Sequence, residues 1–174
     1  MKNSIKKGYT LIELMVAVGL FALIMLLASG AYLMMISLTR HSQGIATGIN
    51  NLSFALETMT RNIRTGTAYD CGAATDCVAS SFSFKNASGV TVSYSLAGDG
   101  SIQETLGGST RILTDPFVNI SSLTFYTIGT KKLSQGDLIQ PHVTMVVSGT
   151  VTYAAGKTES FTIQTGATMR GSDL

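Results

Sequence analysis

Polarity along the chain changes period twice. From Leu14 to Ile36 there is no charge and no proline, and the least apolar positions are Gly19, Ser29, Gly30 and Tyr32. At a rise of about 1.5 Å per residue this run makes a rod of roughly 34 Å, long enough to cross a bilayer. Beyond it, Ile45, Ile49, Leu52, Leu56, Met59 and Ile63 recur at alternating spacings of four and three, the stripe of an amphipathic helix. Asn50, Ser53, Glu57, Thr60 and Arg61 fill the other side, and Gly66 after Arg64 predicts the stop. Continuous from Thr10 to Arg64, the helix would be roughly 80 Å long. Its first half is expected in the membrane, and its second half against its own domain.

From about Ser80 the period becomes two. Ser81–Phe84 and Val90–Leu96 alternate across a Ser88-Gly89 turn, and Ala97–Gly100 leads to Ile102. Gly107-Gly108 turns into Arg111–Leu113, and further strands are expected over Ile120–Ile128, His142–Tyr153 and Ser160–Thr165. Loops are expected at Gly129–Gln140 and Ala154–Lys157. The predicted class is α+β: a long N-terminal helix whose outer half packs on an antiparallel sheet.

Charge gives the membrane run a direction. Lys2, Lys6 and Lys7 precede it, and Arg40 is the only nearby cation after it. The positive-inside rule then puts the N-terminus in the cytoplasm and everything after about Ser37 outside. Hydrophobic residues make up 45% and charged residues 13%, a low charge load that the apolar run largely explains. The net charge of +2 rests on the leader, because losing residues 1–8 removes three lysines and leaves a slightly acidic chain. Lys131-Lys132 is the only adjacent basic pair beyond that point, so no nucleic-acid patch is indicated.

The residues at the mouth of the run carry the candidate chemistry. Thr10-x-x-Glu13 fits a capping box, with the Thr10 hydroxyl and the Glu13 carboxylate each satisfying an orphan backbone N–H. A carboxylate at the edge of an apolar span is also costly and calls for a cationic partner. Cleavage after Gly8 would create one, the new α-amino group of Tyr9. An ordinary secretory cut at Ala28-Ser29-Gly30-Ala31 is the alternative, although the apolar run is longer than a signal peptide needs. Cys71 and Cys77 match neither C-x-x-C nor zinc spacing with His41 and His142. Outside the cytoplasm the pair reads as a disulfide, the alternative being two reduced buried cysteines.

Lys7-Gly8-Tyr9-Thr10-Leu11-Ile12-Glu13-Leu14 resembles the leader-peptidase and N-methylation motif of type IV prepilins and type II secretion pseudopilins. The resemblance implies cleavage between Gly8 and Tyr9 by prepilin peptidase, methylation of the Tyr9 amine, and use of Glu13 to register the subunit in a filament. It implies other pilin subunits and an inner-membrane assembly platform as partners. It also implies residence in the cytoplasmic membrane and then in an extracytoplasmic filament. The organisation would be a leader (1–8), an assembly and membrane half (9–37), an amphipathic half (38–66) and a β-rich domain (67–174). Two departures stand out: Tyr9 replaces the usual Phe, and Gly30 stands where major pilins often carry proline. Leu56, Arg61 and Arg64, with Phe161–Thr165 and Arg170, are similar to J-type minor pseudopilins and W-type minor pilins. That likeness implies a low-copy subunit in priming or at the tip.

No catalytic motif or cofactor-binding pattern emerges from the sequence. His41 after the apolar run is expected at the surface, and His142 at a strand start is expected to be partly buried or at an edge. Asp70 and Asp76 beside the cysteines fall far short of the six to eight oxygens calcium takes. Three classes therefore compete: a filament subunit, a secreted binding module cut near residue 30, and an anchored enzyme for which no residue constellation speaks.

Overall fold

The computed structural model describes residues 8–72, 76–131, 136 and 138–170. The leader lysines Lys2, Lys6 and Lys7, Lys132 and part of the expected Gly129–Gln140 loop lie outside these. Helix α1 spans Leu11–Thr65, and the strands follow in chain order. They are β1 (Thr67–Asp70), β2 (Cys77–Ala79), β3 (Ser81–Lys85), β4 (Thr91–Leu96), β5 (Ile102–Leu106), β6 (Ser109–Ile112), β7 (Val118–Ile128), β8 (His142–Ala154) and β9 (Lys157–Thr168). The chain divides after His41 into two compact units.

The first unit is helix. Its apolar side chains from Leu11 to Met35 stand exposed, and α1 runs through Gly30 without a break. Proline would have removed a backbone donor there, whereas glycine only lowers helix propensity.

The second unit, 42–174, is the expected α+β domain, but its strands divide into two antiparallel sheets. One has the order β1-β3-β4-β5-β6 and the other β2-β7-β8-β9. Leu52, Leu56, Met59 and Ile63 of the stripe are buried in the common core, while Ile45 and Ile49 are half-buried. The sheets join through aromatic rings: Phe82 stacks on Phe125 at 5.6 Å and on Phe84 at 5.9 Å, and Tyr69 meets Phe82 edge-on at 5.3 Å. Such pairs contribute about 0.5–1.5 kcal/mol each beyond the area they bury.

The helix stops where the sequence predicts, for a different reason. Gly66 is not in the left-handed region. A Cβ there would lie 2.2 Å from Phe84 Cδ2, so the chain needs a residue without a side chain to pass the ring. The first strand turn is built by Asn86, whose Oδ1 accepts the N–H groups of Ser88 and Val90. The sequence reading missed β1 and β2, which are short and flank the disulfide segment.

Two glycines of α1 set how closely it approaches β8. A Cβ at Gly44 would lie 2.7 Å from Tyr153 Cβ, and one at Gly48 would lie 2.3 Å from Val151 Cγ1. The spacing Gly44-x3-Gly48 puts both on one helix face. That spacing was the available signal, and the apolar stripe masked it.

Candidate functional site

Thr10 is the N-cap of α1. Its Oγ1 accepts the Glu13 N–H at 3.3 Å and its carbonyl accepts the Leu14 N–H at 3.2 Å. This is the threonine half of the expected capping box. Glu13 lies in the first helical turn, where a negative charge suits the dipole. Its side chain is exposed, and no described residue partners the carboxylate. Tyr9 is 85% exposed beside Gly8, so the bond between them is open on the described side.

The helix that follows has a mean hydropathy of 2.7 over its most apolar stretch, and none of that stretch is buried within the chain. Exposed leucine, isoleucine and methionine on this scale require lipid or another protein surface, because each would lose about 1.5–3 kcal/mol in water. Ser29 returns its hydroxyl to the Met25 carbonyl at 2.7 Å, so the least apolar part of the run satisfies its own donors. Ala28–Ala31 lies inside this continuous helix.

In the second unit the structure joins Cys71 to Cys77, with Cα atoms 6.5 Å apart. Thr127 Oγ1 sits against both sulfurs, and Asp76 Oδ1 accepts the Gly129 N–H at 2.9 Å. The small loop is thereby stapled to β7. Asp70 turns inward to the Gly72 N–H at 2.8 Å, so each carboxylate engages backbone. Among the described residues no group of three or more His, Cys, Asp or Glu is placed to hold a metal.

Glu104 was not foreseen. It is 3% exposed, at the centre of a network linking α1 to three strands. Arg111 pairs with Oε2, while the Tyr94 hydroxyl (3.0 Å) and Asn62 Nδ2 (3.3 Å) donate to Oε1. Burial, reinforced by the Glu104 charge, pushes the Tyr94 hydroxyl well above the ordinary tyrosine range. Tyr69, donating to the Ile63 carbonyl at 2.6 Å, is pushed up by burial alone. The strand alternation around Glu104 was the only signal, because Ile102 and Glu104 share the inward face of β5.

His41 is partly buried, where exposure was expected. His142 is also partly buried, its Nδ1 2.8 Å from Thr168 Oγ1 and its Nε2 3.2 Å from Thr144 Oγ1. The arginines scattered in sequence converge: Arg61, Arg64 and Arg170 line one cleft of about 230 Å³ with Glu57, Thr60 and Thr65. The Arg170 N–H donates to the Arg64 carbonyl at 2.8 Å, which ties the end of β9 to the end of α1.

Residues 3–29 match the prokaryotic N-terminal methylation motif. The chain therefore carries this motif at the head of its apolar helix. No curated protein and no solved structure matches the chain.

Proposed function

We propose that the protein is a subunit of a type IV pilus or of a related secretion filament, with no chemistry of its own. The observation that carries the reading is the motif at residues 3–29 heading an apolar helix that no described residue covers. In this reading prepilin peptidase cuts between Gly8 and Tyr9, the Tyr9 amine is methylated, and the chain waits in the cytoplasmic membrane with residues after about Ser37 outside. Residues 9–37 then form the assembly segment, 38–66 the amphipathic half, and 67–174 the extracytoplasmic domain.

Glu13 acts in assembly by pairing with the Tyr9 amine of a neighbouring subunit. Its exposed carboxylate at the helix mouth supports this role, since an unpaired ion in an apolar bundle costs several kcal/mol. A second reading, a low-copy place at the tip, follows from the likeness of Arg61, Arg64 and Arg170 to minor subunits, and subunit stoichiometry in isolated filaments separates it from a many-copy subunit.

Intact-mass measurement of membrane-extracted protein tests the reading. It expects a chain that starts at Tyr9 and carries a methyl group. A chain starting at Met1 would overturn it, and one starting near Ala31 would establish the secreted module in its place.

A further inference from the structure

Charge is uneven along the helix of the second unit, with Asp99, Asp115, Glu159 and Lys157 at one end and Arg61, Arg64, Arg170 and Glu57 at the other. At the Gly48 end, Val118, Val151 and Glu159 lie in one cross-strand row. The Asp115 N–H donates to Asn51 Oδ1 at 3.0 Å, which pins the β6–β7 loop against α1. Asp99 stands at the same end, because the carbonyl of its neighbour Gly100 accepts the Ile120 N–H at 2.7 Å. The Ser101 hydroxyl and N–H hold the Asp99 carboxyl below its usual range. Two aromatic rings toward this end face solvent: Phe54, 72% exposed and one turn along α1 from Asn51, and Phe117, 64% exposed, whose N–H donates to Asp115 Oδ1 at 2.9 Å. Single exposed apolar residues mean little, but an exposed phenylalanine two residues from a carboxylate is an anchor of the kind interfaces use.

The other end is the arginine cleft. Arg61 is partly engaged by Glu57 at 3.3 Å, whereas no described side chain partners the guanidinium groups of Arg64 and Arg170. Guanidinium groups bind carboxylates through paired N–H donors and stack on aromatic faces. The opposite end offers both partners. From Asn51 to Arg64 is about 20 Å along the helix, so the two patches cannot meet within one copy.

We infer that the Arg61–Arg64–Arg170 cleft of one copy docks the Asp115–Phe117 loop and Phe54 of a second copy. Such a contact joins different patches on the two partners. A heterologous contact that does not close into a ring propagates as a filament. The inference rests on the filament reading in its many-copy form and deepens it, since a chain with complementary ends packs in series with itself and a lone tip subunit would not.

The test uses the full chain in membranes, as two separately tagged copies carrying Thr65→Cys and Pro116→Cys respectively. Both positions are exposed and leave every charge of the proposed contact in place. A short bismaleimide should link the two tagged copies, with the Thr65 and Pro116 peptides joined in the digest. Arg64→Glu should lower that product about tenfold through like-charge repulsion, and adding Asp115→Arg should restore it. No product, or Thr65→Cys joined to a different protein, overturns the inference. Sheared filament fractions, measured in parallel, keep the two readings apart. Chain present in filaments without the crosslink defeats only the docking, and absence from filaments defeats the filament reading.

Discussion

Gly48 and Val151 meet where the helix crosses β8, and a methyl group added at Gly48 would lie 2.3 Å from Val151 Cγ1. Val151 Cγ2 and Cβ would follow at 3.0 and 3.3 Å, so rotating the valine exchanges one clash for another. Two effects oppose each other in Gly48→Ala. Helix propensity favours alanine by about 1 kcal/mol, and overpacking typically costs 1–3 kcal/mol. The substitution is expected to destabilise the wild-type chain and to stabilise one that carries Val151→Ala. Thermal unfolding of the four proteins of the cycle in detergent measures the change of sign, and additive effects would show that the contact is loose.

Glu104 should be the polar residue whose loss is felt most. Glu104→Ala leaves the buried Tyr94 hydroxyl without its acceptor, although Asn62 Nδ2 still donates to that hydroxyl at 2.9 Å, and is expected to cost about 3 kcal/mol. Arg111→Ala should cost less, because that side chain is 63% exposed and water replaces it. Denaturant midpoints at constant slope decide the order.

High pH reads two tyrosines, Tyr94 in this network and Tyr69 on the Ile63 carbonyl. The hydroxyls of Tyr94 and Tyr69 hold their protons in the folded state beyond the ordinary tyrosine range. Above about pH 10 the unfolded chain loses protons that the native chain keeps, so stability is full below that pH and falls as pH rises. Spectrophotometric titration near 295 nm should show two tyrosines ionising only with unfolding, and one in Tyr94→Phe.

Removing the disulfide by Cys71→Ser with Cys77→Ser is expected to cost about 2–3 kcal/mol, the chain-entropy value for so short a loop. Alkylation without reductant should label neither cysteine of the wild-type chain. Two labelled cysteines would show the pair reduced in the cell.

Glu13→Ala separates cap from contact. Thr10 already supplies the observed cap, so loss of the glutamate side chain should leave insertion and cleavage intact. Incorporation into filaments, compared at equal membrane levels, should fall sharply. Thr10→Ala should instead cost about 0.5–2 kcal/mol of local helix stability and little incorporation. Equal incorporation of Glu13→Ala would leave the carboxylate as a helix-terminus charge only.

The residues that declared themselves in sequence did so through local physics. A run from Leu14 to Ile36 without charge is a membrane-length helix whatever surrounds it, and Thr10 caps it within its own first turn. The stripe from Leu52 to Ile63 and the alternation in β3, β4 and β8 follow from the 3.6- and two-residue periods. What remained hidden depends on which segments meet. Division of the strands into two sheets is set by Phe82, Phe84 and Phe125 packing across the join, and periodicity does not say which strand pairs with which. Gly66 looked like a helix stop and proved to be clearance for Phe84. Glu104 carried no mark of its role in the sequence, and only the pairing of β5 with β4 and β6 brings Tyr94 and Arg111 to it. Arg64 and Arg170 are far apart in sequence and hydrogen-bonded in space. Period and propensity act between neighbours in the chain, so the sequence alone determined the long helix, the longer strands and the N-terminal methylation motif. Burial and charge pairing act between neighbours in space, so only the tertiary structure decided the core network and the arginine cleft.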